Sequence, residues 1–168
     1  MSATLTHSAP VAQQHHERLM SHVDRMPALA DLMDRGTAEE LRAALYEMID
    51  FMAEVLMPHM EAAERVLYPE LERMMQNRHS MTPTRREHAE IRAGLADLAR
   101  LRTRVASPSI SLKDQVELRR TIFRLYGLLK VHLAEELLYA DIVEKGASPQ
   151  AEAALAAAME HTGTARFG

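Results

Sequence analysis

Residues 118–143 read LRRTIFRLYGLLKVHLAEELLYADIV. Alternating steps of four and three meet Leu118, Ile122, Leu125, Leu129, His132, Glu136, Tyr139 and Val143. That spacing predicts one buried face of an amphipathic helix. Four apolar positions are followed by an imidazole, a carboxylate and a phenol. Burying such groups without partners costs about 2–7 kcal/mol for a neutral one and more for a charge. The core facing this helix must supply partners, and a metal ion is the leading one.

Three further helices obey the same rule. The first opens near Pro10, which suits a first helical turn. It carries Ala12, His16, Leu19, Val23, Met26, Ala30 and Met33 to a stop at Gly36, with a bend expected at Pro27. Thr37 and Glu40 form a capping-box pattern that opens the second helix. Its stripe is Leu41, Leu45, Met48, Met52, Val55, His59, Ala62 and Val66, with kinks expected at Pro58 and Pro69. Residues 77–82 form a connector, and Thr82 with Pro83 starts the third helix. His88, Ile91, Leu95, Leu98 and Val105 share one of its faces, and residues 107–109 end it. Ser111 or a neighbour caps the fourth helix, residues 146–149 close it, and Ala-rich residues 150–161 predict a short terminal helix. Strand signals are absent. The expected fold is all-α: an antiparallel up-down four-helix bundle over 10–146, then a short C-terminal helix and tail over 147–168.

Composition narrows the functional classes. A chain of 168 residues is about one domain with a real core. The absence of cysteine excludes disulfides, thiolate zinc sites and cysteine nucleophiles. With 20 basic and 24 acidic residues, the charge balance argues against a nucleic-acid partner. Arginines from Arg85 to Arg124 are interleaved with Glu87, Glu90 and Asp97 but not with aromatics, which predicts a solvated face. No apolar run approaches the ~18 residues of a membrane span, and the first twenty residues lack the features of a secretory signal. A cytoplasmic protein without a membrane partner is expected.

Of nine histidines, four lie on a stripe, one per helix: His16, His59, His88 and His132. A lone histidine on an apolar face is more often a satisfied core residue than a ligand. Four in this arrangement, with Glu136 one turn beyond His132, point to a metal. Imidazole and carboxylate without thiolate suit iron, manganese or zinc, and bundle cores recurrently house paired irons. His132 and Glu136 differ in direction by about 40°, whereas Glu135 leaves the stripe. Tyr139 lies on the side of His132, two turns on. It is a core aromatic with its hydroxyl bonded, a ligand, or a hydrogen-bond partner of one. Met20, Met52, Met57 and Met60 are expected to supply pliable packing.

The segments HH near the start, MPHMEAAERVLYPEL, REHAEI and VHLAEELLYADI together resemble the four helices of the hemerythrin-like, or HHE cation-binding, domain family. The resemblance covers roughly residues 12–145. It implies a site for two non-haem irons, oxo- or hydroxo-bridged, with carboxylates between them. His16, His59, His88, His132 and Glu136 match the family pattern. His16 is preferred to His15 because Leu19, Val23 and Met26 share its face. The second helix departs from the pattern, since Ala63 stands four residues after His59. Glu64 is about 140° from His59 on a regular helix. Either a π-bulge near Pro58 returns Glu64 to the site, or that bridge is missing. In the second case Ala62 and Ala63 leave space for Tyr139, water or an exogenous ligand.

The functional expectation is a di-iron protein that binds or reacts with nitric oxide, peroxide or O2, in oxidative or nitrosative stress defence. Reversible oxygen carriage is disfavoured, because Arg92 stands where such carriers place a second histidine four after His88. The alternative is an O2-binding or iron- or redox-sensing module without turnover. A ferritin-like oxidase, with Glu three before a ligating His, is disfavoured by Gln13, Leu56, Arg85 and Leu129.

Overall fold

Prolines decide where the helical stripes change phase. The computed structural model describes residues 8–105 and 110–146, together with 150, 153, 154 and 157. Among the described residues there is no strand. In place of one bent helix up to Gly36, the chain forms α1 (Ser8–Val23) and α2 (Met26–Arg35). Pro27 has no N–H to offer the carbonyl of Val23. The first helix therefore ends, and Pro27 falls in the opening turn of α2, where no donor is needed.

The second rod begins with α3 (Ala38–Phe51), and its capping box is formed as expected. Thr37 Oγ1 accepts from the Glu40 backbone N–H at 3.2 Å, and Glu40 Oε2 accepts from the Thr37 N–H at 2.7 Å. Replacing Thr37 with alanine should cost about 1 kcal/mol. A thermal melt should show a midpoint lower by roughly 2–4 °C, with metal content unchanged.

The kinks expected in this rod are two π-helical turns. The rod continues as a π turn (Met52–Leu56), α4 (Met57–Ala62), a second π turn (Ala63–Leu67) and α5 (Tyr68–Met74). Each wide turn stops two residues before a proline, Pro58 or Pro69. Widening the turn accommodates a ring that would otherwise collide with the preceding carbonyls. Each wide turn also carries one extra residue, so the inward face slips along the sequence. Beyond Met52 the buried positions include Leu56, His59, Ala63, Leu67 and Tyr68, while Val55 and Val66 are only half-buried. Gln76, at φ 51°, turns the chain after α5.

The third and fourth rods are α6 (Thr82–Val105) and α7 (Leu112–Gly146). α7 packs against α1, α2 and α6, and α3 packs against α2 and α6, which closes a ring of four rods around the core. Gly94 permits the close approach of α6 to α7, because a Cβ there would lie 2.5 Å from a methyl of Leu125. Met52 and Met60 are fully buried in the main core, and Met20 and Met57 pack against it. A smaller cluster of Ala63, Leu67, Tyr68, Leu71, Ala140 and Val143 lies further along α7. His132 and Glu136 fall where the two clusters meet.

The arginine-rich face is laced with ion pairs, among them Arg100 with Glu117, Arg104 with Asp114, and Arg124 with Asp97. Exposed pairs contribute about 0–1 kcal/mol each, as expected of a solvated face. No described helix is long and apolar enough to cross a membrane. Of the terminal helix predicted over 150–161, residues 150, 153, 154 and 157 are described, and all are helical. The rest of it lies outside the described residues.

Candidate metal centre

Glu136 is fully buried on α7, and its two carboxylate oxygens face different partners. Oε2 lies 2.7 Å from His59 Nε2 and 3.8 Å from His16 Nε2. Oε1 lies 3.7 Å from His88 Nε2 and 3.6 Å from His132 Nε2, and accepts a 2.5 Å hydrogen bond from the Tyr68 hydroxyl. The ligand atoms therefore form two buried triads, His16–His59–Glu136 and His88–His132–Glu136, each spanning no more than 4.8 Å. The first pair of histidines comes from α1 and α4, the second from α6 and α7, and both share Glu136.

The His88, His132 and His59 rings are each held at their outer nitrogen. His88 Nδ1 donates to Glu64 at 2.6 Å, and His132 Nδ1 donates to Glu87 at 2.9 Å. His59 Nδ1 meets His15 Nε2 at 3.1 Å. Such bonds fix tautomer and ring orientation and raise the basicity of the inward nitrogen. They also create a conflict. His88 Nε2 and His132 Nε2 lie 3.0 Å apart, yet each ring already spends its Nδ1 hydrogen on a carboxylate, which can only accept. In neutral rings the two Nε2 lone pairs face one another. A shared cation relieves that repulsion, and a donor set of four imidazoles and one carboxylate without thiolate fits iron, manganese or zinc.

Charge states agree with this fit. Burial pushes the Glu136 carboxyl up, but the attraction of His59 and its hydrogen bond, with the His16 and His88 rings close by, outweigh it and hold the group well below the usual carboxylate range. Burial, reinforced by the neighbouring His59 and His16, lowers His15 to about 3. Burial likewise lowers His132, against the pull of Glu136. Burial opposes ionisation of Glu64, yet hydrogen bonds from His88 and Arg92 bring it below its ordinary value. Burial and then the Glu136 charge raise the Tyr68 phenol above its ordinary range. A metal needs ligands in these forms, with neutral imidazole and ionised carboxylate.

His16, His59, His88, His132 and Glu136 thus converge, as their stripes predict. Glu64 and Tyr139 do not reach the triads. The π turn expected near Pro58 is present at Met52–Leu56, but Glu64 lies in the second one, Ala63–Leu67, and reaches the outer nitrogen of His88, where Arg92 also binds it at 2.9 Å. Tyr139 is half-buried and packs against the smaller core cluster. The phenol in the centre is Tyr68, turned inward by the same π turn, with its oxygen also 2.9 Å from His88 Nε2. The Leu-Tyr pair that follows both His-bearing stretches, Leu67-Tyr68 and Leu138-Tyr139, is the one sequence sign of it. His15 lies off the stripe that His16 shares with Leu19, Val23 and Met26, yet the structure buries it beside His16 and against His59. Glu87 reaches His132 from another helix, and no spacing rule within one helix discloses that.

The family model for the hemerythrin HHE cation-binding domain matches residues 11–140. No curated protein and no solved structure gives a significant match. The matched range contains every residue of both triads, and on that basis the chain belongs to the hemerythrin HHE cation-binding domain family.

Proposed function

We propose that this protein holds two non-haem irons in the core of an antiparallel bundle and uses them to bind and react with a small oxidant: nitric oxide, peroxide or O2. The observation that carries this reading is the sharing of one buried carboxylate by two histidine pairs. His16 and His59 would hold one ion, His88 and His132 the other, and Glu136 offers one oxygen to each. When bound, the irons supply redox equivalents and open coordination positions for a small ligand. With three protein groups per triad, the chain itself leaves such positions unfilled. Tyr68 directs its hydroxyl at the centre and donates a hydrogen bond to Glu136 Oε1. Glu64 and Glu87 keep the His88 and His132 rings turned inward. A cytoplasmic role in oxidative or nitrosative stress defence, without nucleic acid or membrane partners, fits this chemistry.

The test is metal content of the purified protein together with its ultraviolet-visible spectrum, before and after exposure to each oxidant. Two irons per chain with near-ultraviolet oxo-to-iron bands, altered by at least one oxidant, are the expected result. A further broad band at longer wavelength would report phenolate ligation. It should disappear in Tyr68→Phe and persist in Tyr139→Phe. Failure to take up metal after anaerobic ferrous loading would overturn the reading, and an iron spectrum indifferent to all three oxidants would remove its reactive half.

A further inference from the structure

α7 is apolar on two opposite sides. Its inner side carries the core and the centre. Its outer side carries Leu112, Val116, Phe123, Val131, Leu138 and Ile142, all between 41% and 75% exposed. These positions follow a rule. Offsets of 4, 11 and 15 from Leu112 reach Val116, Phe123 and Gly127, and the same offsets from Gly127 reach Val131, Leu138 and Ile142. Fifteen residues over four turns is close to the helical period of about 3.6, so the row stays on one face with a slow drift.

The row is also its own reverse. Leu112 and Ile142, Val116 and Leu138, and Phe123 and Val131 stand at equal distances on either side of Gly127. A two-fold axis through Gly127 would lay two copies of α7 antiparallel, with every apolar side chain opposite another, as an isologous contact requires. Gly127 itself needs a reason. Glycine inside a helix costs about 1 kcal/mol relative to alanine, and a Cβ at this position would meet nothing within 4 Å in the chain's own fold. Phe123, Gly127 and Val131 form a ridge at four-residue spacing, and a glycine in mid-ridge lets a second helix cross closely.

We propose that this outer face of α7 is the interface of a homodimer centred on Gly127. Charge fits the arrangement. Arg120 and Glu135 flank the row on the same side, fifteen residues apart, and neither forms an ion pair among the described residues. The two-fold operation sets Arg120 of each copy beside the partner's Glu135. Shape fits it as well. The N-terminal half of the row borders an open groove of about 660 Å³, lined by Leu112, Val116, Arg120 and Arg124 with Asp97 and Arg100 of α6. The same operation presents the other copy's C-terminal half of the row to this groove. A strip about 45 Å long and 10 Å wide gives about 450 Å² per copy. The pair then buries about 900 Å² before the groove walls and flanking charges are added, close to the ~1,000 Å² that a specific interface needs.

Sedimentation equilibrium of the full-length protein from about 1 to 100 µM should show a dimer, with metal content and oligomeric state measured on the same sample. The chain has no cysteine, so Gly127→Cys introduces a single thiol, placed on the proposed axis. Mild oxidation should convert this variant to a covalent dimer and leave an Ala96→Cys control, on the exposed side of α6, monomeric under denaturing conditions. Arg120→Glu and Glu135→Arg should each weaken the dimer at least about tenfold, a loss of roughly 1.4 kcal/mol, and the two together should restore it. Circular dichroism should show unchanged helix content in each variant. A monomer at 100 µM would overturn the proposal. So would a dimer in which Gly127→Cys fails to crosslink, which would place the contact on another face, or a charge swap without rescue, which would leave the row to another occupant such as the chain's own C-terminal residues.

Discussion

Replacing Glu136 with alanine should lose both metal ions together, taking the content from two per chain to none. Each triad rests on two histidines and one oxygen of this carboxylate, so neither retains more than two protein ligands without it. Stability should fall with the metal. A ligand present at about 1,000 times its dissociation constant contributes about 4 kcal/mol, and that contribution vanishes when it cannot bind. The metal-stripped variant should also be weaker than metal-stripped wild type. Removing the carboxylate leaves the buried His59 Nε2 without the acceptor it faces, and such a group costs about 1–3 kcal/mol. Glu136→Gln separates the two effects, because the amide keeps the shape and an acceptor oxygen but not the charge. It should fold close to normally and still fail to hold metal. Glu135→Ala, whose side chain leaves the inner stripe, should keep its metal. Metal analysis and urea unfolding with and without chelator decide the matter. An alanine variant at Glu136 that retained both ions would dismiss the shared-carboxylate centre.

The part of this centre that could be read from the sequence is the part that lies on uninterrupted helix. α7 contains no proline, so the 3.6-residue period carries from Leu118 to Val143 without losing phase, and His132 and Glu136 fall where counting puts them. The same holds for His88 on α6. Reading fails where backbone geometry departs from the period. Two π turns shift the second rod, so Tyr68 enters the centre and Glu64 is carried to its edge. Tyr139 fails for a different reason. It has the right direction but lies three residues, about 4.5 Å of rise, beyond Glu136, and that distance takes it into the next core cluster. The outer supports, Glu87 on His132 and His15 on His59, are contacts between helices. Spacing along one helix carries no information about them. The division of the first rod into α1 and α2 follows from Pro27, whose effect was legible in kind but not in extent.

His15 should make the metal-stripped protein markedly sensitive to acid. Its imidazole is buried among other rings, and its folded value of about 3 lies far below the ordinary 6.5. Between those values the unfolded chain takes up a proton that the folded chain refuses, so stability rises with pH across the window. The contribution is complete above about pH 6.5 and is lost as pH falls towards 3. A shift of this size corresponds to up to about 5 kcal/mol, at 1.36 kcal/mol per unit. His132, lowered by burial, acts in the same direction. Glu136, held below its ordinary value, adds a loss that begins only below about pH 4.5. A His15→Gln variant isolates the first contribution. The amide can bond to His59 Nδ1 in either sense, as donor or as acceptor, but it does not titrate. Urea unfolding of both chelator-treated proteins should give similar stabilities at pH 7.5 and a curve for the variant that is flatter between pH 6.5 and 3. Parallel curves would show that His15 is protonated in the fold. In that event both nitrogens of His15 would carry hydrogen, which its bond to His59 Nδ1 allows, because in the metal-stripped protein His59 gives its own hydrogen to Glu136 through Nε2.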